Sequence, residues 1–328
     1  MVRDGRRSPG QWKAAMAENP LMTDAVDGIP TVSVVVRGTT RILGVFGCPV
    51  EHSVSPLMHN AALARLGLPY IYVPFLVTPD ALGAALRGLS ALGIVGVNLT
   101  IPHKERALAL VDEVTSEARE IGAINTVHCV NGRLVADNTD GRGFYQPLAE
   151  AGFDARGCTA VVVGAGGAAR AVAFRLAREG AAAVWIANRS LERAEQLAAA
   201  AGRAGSGRIQ ALSLDDADRV QDAIRAADLL VHTTRVGMYP DGDALAPVPL
   251  EALHRNLFVY DLVYNPKQTR LLAEAQKRGC RVMGGARMLV YQGAASFERW
   301  TGIWPPTDVM EAAVEAALTG PKAVEAPR

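Results

Sequence analysis

At 328 residues the chain is longer than one hydrophobic core usually grows, which predicts two domains. Hydrophobic residues make up 49% of it, enough for large buried cores, and 34 Lys plus Arg against 33 Asp plus Glu leave a net charge of +1. That balance excludes binding to nucleic acid or an anionic membrane through bulk charge, while one or two local cations would suffice for an anionic small molecule.

The first 38 residues carry Arg3, Arg6 and Arg7 but no continuous apolar stretch, so they read as a mostly disordered extension and not as a signal peptide. No run is long enough to cross a bilayer. Cys48, Cys129, Cys158 and Cys280 are far apart, with no C-x-x-C and no His at metal spacing. They read as reduced thiols, and the expectation is a cytoplasmic protein without a metal.

From residue 41 onward, short β-rich runs alternate with Ala/Leu-rich helical stretches, the pattern of an α/β protein with largely parallel sheet. Strands are predicted at 41–47, 70–77 and 93–100, and helices at 56–66, 79–89 and 102–111. A hairpin follows, INTVHCV and RLVADN around Asn131-Gly132, a pair suited to a type I′ turn. A second unit begins near Asp140, with a helix to 151 and strands at 159–163, 183–187, 228–234, 257–263 and 281–283. From Met288 the chain is helical, interrupted at Pro305-Pro306, and has no strand partner left. It is expected to pack back on the first unit.

Directly after the run TAVVV comes Gly164-Ala165-Gly166-Gly167-Ala168-Ala169-Arg170, a G-x-G-x-x-A turn opening a helix. Such a turn lets backbone N–H groups and the helix N-terminus approach a pyrophosphate. Structural turns use glycine too, but the strand-before, helix-after context predicts a Rossmann-like dinucleotide site. At the end of the next strand an NAD site would place an acid for the ribose 2′-hydroxyl. This chain has Asn188-Arg189-Ser190 and then Arg193, which favours the 2′-phosphate of NADP. A solvated, Arg-rich helix start is the alternative.

Three polar clusters lie in the first unit. In EHSVSP, Pro56 suits a first helical position and makes Ser55 a natural N-cap. If the segment is extended, Ser53 and Ser55 face one ligand together. In VNLTIPHK, Asn98 and Thr100 share a face by period two. Lys104 is then predicted in the first turn of a helix, against the dipole. Either a site has overruled folding preference there, or Lys104 is a snorkelling surface lysine. In DNTDG, Asp140 stands where the first unit gives way to the second, at the edge of an expected cleft.

Taken together these segments resemble the shikimate dehydrogenase family from about residue 41 to residue 302. The motifs that carry the resemblance are EHSVSP (51–56), GVNLTIPHKE (96–105), GAINT (122–126) and DNTDGRG (137–143) in the first half. GAGGAAR (164–170), NRSLERA (188–194), DLVYNP (261–266) and GGARMLVYQGA (284–294) follow in the family's order. The resemblance implies a substrate-binding and catalytic domain over 39–140, an NADP-binding domain over 141–286, and helices over 287–328 that return to the first. It implies Lys104 and Asp140 as the catalytic pair. Ser53, Ser55, Asn98, Thr100, Asn125, Tyr264 and Gln292 would contact shikimate. Gly164, Ala165, Gly166, Gly167 and Ala168 would hold NADP, with Asn188, Arg189 and Arg193 at its phosphate and Leu262 and Gly285 near the nicotinamide.

One segment departs from the family. Where Asn-Ala-Thr and then Ser or Pro usually precede x-Gly-Met, this chain has His232-Thr233-Thr234-Arg235-Val236-Gly237-Met238. His232 reads either as a packed or solvent-facing histidine or as a general acid. The implied reaction is reversible hydride transfer between shikimate and 3-dehydroshikimate with NADP. A quinate or aminoshikimate dehydrogenase is the near alternative and a non-catalytic nucleotide or metabolite sensor the distant one. The partner is a small molecule, and the chain is expected as a monomer or homodimer.

Overall fold

The computed structural model describes residues 22–26, 29–32 and 35–319. Two six-stranded sheets carry the molecule. In the first, β3 (Arg41–Gly47), β4 (Tyr70–Leu76) and β5 (Ile94–Leu99) run parallel, in the order β4-β3-β5. The hairpin β7 (Thr126–Val130) and β8 (Arg133–Asp137) pairs antiparallel beside β5, and β6 (Glu113–Val114) closes the edge. Asn131 and Gly132 both have positive φ, 51° and 79°, as the predicted turn requires. Helices α1 (Ser55–Arg65), α2 (Leu82–Ala91) and α3 (Ser116–Ile121) complete this lobe. Every residue of β5 is buried, which explains its near-continuous apolar run.

Helix α4 (Asp140–Glu150) leads into the second sheet, β9 (Thr159–Val163), β10 (Ala183–Asn188), β11 (Arg208–Ser213), β12 (Leu229–His232), β13 (Phe258–Asp261) and β14 (Arg281–Gly284). All its pairings are parallel, in the order β11-β10-β9-β12-β13-β14. Chain order therefore reverses between β9 and β12, and such a switch point opens a crevice at the carboxyl ends of the strands. Helix α5 (Gly167–Arg178) buries Ala169, Val172, Ala173 and Leu176 at helical spacing against this sheet, while α6 (Leu191–Ala201), α7 (Ala217–Arg225) and α8 (Arg270–Lys277) complete the layers. Helices α9 (Ala286–Thr301) and α10 (Thr307–Thr319) lie against the first lobe. Phe297, Trp300 and Met310 pack there with Met58 and Tyr72, and the Trp300 indole donates to the Val127 carbonyl.

Several local expectations need correction. Part of the segment expected to be disordered forms an antiparallel hairpin, β1 (Met22–Val26) with β2 (Ile29–Val32), and β2 lies against α1 and α10. In the sequence Asp27-Gly28 stands between two short β-prone runs, a hairpin signal. Residues 1–21, 27, 28, 33 and 34, also covered by that expectation, lie outside the described residues. The helix predicted over 102–111 is a turn followed by a short 3-10 helix, Arg106–Leu110. Ile101-Pro102 is a cis peptide, and Lys104 sits in the turn and not on a helix. Finally, Val54 is the N-cap of α1, in the helical region, so Ser55 is the first helical residue and 53–55 is not extended.

Candidate active site

The turn carrying Lys104 is tied down on several sides. His103 N–H donates to the Thr100 carbonyl, Cys48 N–H to the Ile101 carbonyl and Ile124 N–H to the Lys104 carbonyl. The buried His103 ring donates through Nε2 to the Val77 carbonyl at 2.8 Å, and burial holds its pKa below the usual histidine value. The Lys104 ammonium thus leaves a braced backbone and meets Asp140 Oδ2 at 2.5 Å. Asp140 opens α4, where a carboxylate favours the helix dipole, and its side chain is 3% exposed against 20% for Lys104. Its other oxygen, Oδ1, accepts from Asn125 Nδ2 at 2.9 Å. This is an ammonium–carboxylate pair with one end walled by protein and the lysine end partly open.

Asn125 continues the array. Its amide also donates to Thr139 Oγ1 at 2.9 Å and to Gln292 Oε1 at 3.1 Å, and its Oδ1 accepts from Thr139 N–H. One layer deeper, Asn98 accepts from the Tyr72 hydroxyl at 2.8 Å and donates to the Asn125 carbonyl and to Ser296 Oγ. Both Asn98 amide protons are thus engaged by protein, leaving one Oδ1 lone pair for any ligand. Thr100 directly follows β5, and its hydroxyl makes no hydrogen bond among the described residues. Ser53 Oγ accepts from Ser55 N–H at 3.4 Å, and Ser55 is buried at the start of α1. Tyr264 packs on the core of the first lobe, and burial pushes its phenol up to about 12, keeping it a proton donor at neutral pH. Thr126, Thr139, Ser296 and Tyr72 were not singled out in the sequence. Ser296 alone carried a signal, lying one helical turn from Gln292 on α9.

On the other side of the cleft, Gly164 has φ +120°, and a Cβ there would lie 2.4 Å from Thr233 Oγ1. Gly166 caps α5 with nothing within 4 Å of an added Cβ, an open approach to the helix N-terminus. A Cβ on Gly167 would come within 3.3 Å of the Lys104 Cβ, so the glycine-rich turn lies directly against Lys104. Ala165 is buried and Ala168 half-buried in the same turn. Asn188 ends β10 and bonds the Ser190 carbonyl, and Ser190 caps α6. Arg189 is exposed, while Arg193 reaches back to the Ala165 carbonyl at 3.4 Å and lies 3.6 Å from Glu105 of the first lobe. Leu262 and Gly285 follow β13 and β14. Any Cβ at Gly285 would meet the Leu262 carbonyl at 2.1 Å, which requires glycine there. These residues fit a phosphorylated dinucleotide: open N–H groups, a positive helix end and guanidiniums where an acid would reject a 2′-phosphate.

The substrate-binding domain profile of shikimate dehydrogenases matches residues 45–127, that of the shikimate/quinate 5-dehydrogenases residues 147–240, and the shikimate 5′-dehydrogenase C-terminal domain residues 285–315. A shikimate dehydrogenase (NADP+) of Methanopyrus kandleri is 50% identical over 87% of this chain and 98% of its own length. The chain belongs to the shikimate dehydrogenase family. A crystal structure of a shikimate dehydrogenase in complex with NADP+ superposes with TM-score 0.82 at 40% identity, covering 87% of this chain and 98% of that one. The Thermus thermophilus shikimate 5-dehydrogenase, solved with NADP(H) and shikimate, gives 0.75 at 42% identity, over 84% and 99%. No helix among the described residues is long and apolar enough to cross a membrane.

Proposed function

We propose that this chain is an NADP-dependent shikimate dehydrogenase of the aromatic amino-acid pathway, interconverting shikimate and 3-dehydroshikimate. The observation that carries this reading is the Lys104–Asp140 pair at 2.5 Å, set against the glycine-rich turn. Bound NADP+ supplies the hydride acceptor for C3 of the substrate. The protein's task is the hydroxyl proton and the ring's orientation. Lys104 Nζ, partly open to the cleft, hydrogen-bonds the reacting oxygen, and the proton passes to the Lys104–Asp140 pair. In reverse, the ammonium stabilises negative charge developing on the carbonyl oxygen. Ser53 and Ser55 hold the substrate carboxylate, while Thr100, Asn125, Gln292 and Tyr264 read ring hydroxyls. Asn98 has one lone pair left for that purpose and chiefly braces Asn125.

The substrate lobe with its returning helices and the 141–286 dinucleotide lobe form the two domains of this reading. The four thiols are free, which fits a cytoplasmic enzyme. The matched family also covers quinate dehydrogenases. Initial rates of NADPH formation, compared for shikimate and quinate and for NADP+ and NAD+, test the assignment. The expected order is shikimate with NADP+ highest in kcat/KM. A preference for quinate would move the enzyme to the alternative, and no turnover of either polyol would reject it.

A further inference from the structure

His232, in the segment that departs from the family, is fully buried and doubly bonded. In the parallel register of the second sheet it stands beside Val163 on one side and Asp261 on the other, at the carboxyl ends facing the switch-point crevice. Its Nδ1 lies 2.8 Å from Asp261 Oδ1 and its Nε2 2.6 Å from Thr234 Oγ1. Asp261 also accepts from Val263 N–H at 3.1 Å and from the Thr269 hydroxyl at 2.6 Å, the donor set of an ionised carboxylate. An acceptor on Nδ1 requires a hydrogen there, and with a single ring hydrogen that makes Nε2 an acceptor. Thr234 must then donate its only hydroxyl hydrogen inward to Nε2, while its oxygen accepts from Val236 N–H at 3.2 Å. The same loop is stitched to the glycine-rich turn. Thr233 donates to the Val163 carbonyl through both N–H and Oγ1, and a Cβ on Gly164 would lie 3.2 Å from Thr234 Cγ2.

We infer that His232 is a positioning residue for the cofactor. It turns the Thr234 hydroxyl so that the loop after β12 offers the nicotinamide half of NADP, through a ribose hydroxyl, an acceptor and not a donor. This rests on the NADP reading. The test is the Kd for NADP+ and for adenosine 2′,5′-bisphosphate, which lacks the nicotinamide half, measured with His232→Phe, Thr234→Val, the double variant and Thr234→Ser. Each of the first two should weaken NADP+ by about 3- to 10-fold, the size of one hydrogen bond. The double variant should be no weaker than the weaker single, Thr234→Ser should restore binding, and the bisphosphate should bind all of them alike. Losses that multiply, a bisphosphate weakened equally, or His232→Phe with wild-type affinity would overturn the proposal. So would ring-nitrogen NMR of the wild-type protein placing the proton on Nε2, a readout independent of any variant's folding. If the wild-type chain bound neither ligand, the NADP reading itself would fall with it.

Discussion

Lys104 and Asp140 come from segments 36 residues apart, and what joins them is their surroundings. Asn125 holds one carboxylate oxygen, Lys104 the other, and Asn138 Oδ1 accepts the Asp140 N–H, so the carboxylate has little freedom to turn away. On the cofactor side the residues proposed to meet the 2′-phosphate are Arg189 and Arg193. Both follow a strand end where an acid would otherwise select NAD. A guanidinium–phosphate bond is charge-assisted and contributes about 1.5–3 kcal/mol. Arg189→Ala should therefore weaken NADP+ about tenfold or more and leave NAD+ nearly unchanged. Equal weakening of both cofactors in a direct binding assay would remove the 2′-phosphate role.

At the scale of elements, α4 and α9 bring Asp140 and Gln292 to the same place because Gly143 lets the two helices touch. A Cβ at Gly143 would lie 2.6 Å from the Gln292 Cβ and 2.7 Å from its backbone nitrogen. Gly to Ala inside a helix ordinarily gains about 1 kcal/mol, but overpacking against backbone costs about 1–3 kcal/mol. The second effect wins, so Gly143→Ala should lower both thermal stability and kcat/KM, and a melting temperature at or above wild type would contradict that packing. Elements with continuous apolar runs, such as GIVGV in β5 and TAVVV in β9, were legible in the sequence. Strand β11 was not, since RIQALS alternates half-exposed positions at a sheet edge. The helix expected at Lys104 failed because proline after a strand serves a turn as readily as a first helical position. The identities of the charged pair and the glycine-rich turn were readable from motifs. Their braces were not, because Asn98 and Ser296 lie 198 residues apart and spacing carries information only within an element.

Across the whole molecule, one buried group links stability to pH. His59 is fully buried, stacks on Tyr72 at 4.2 Å with its ring planes 7° apart, and neither ring nitrogen has a partner among the described residues. Burial lowers its pKa from 6.5 to about 3. The unfolded chain therefore takes up a proton that the native protein refuses between those values. His59's contribution to stability is full above pH 6.5 and is lost as the pH drops towards 3. The slope is at most about 1.4 kcal/mol per pH unit. His59→Phe should flatten that part of a urea-denaturation pH series, and an unchanged slope would show that His59 does not govern it. The larger architecture has a simpler purpose: it brings the braced lysine of one lobe against the glycine-rich turn of the other. Steady-state kinetics of Lys104→Ala with shikimate and NADP+ test that arrangement most directly. Its kcat should be lower by about 100-fold or more, as for loss of a general acid–base group, with KM for shikimate changed only a few-fold. A variant with wild-type kcat and a raised KM would make Lys104 a binding residue and contradict it.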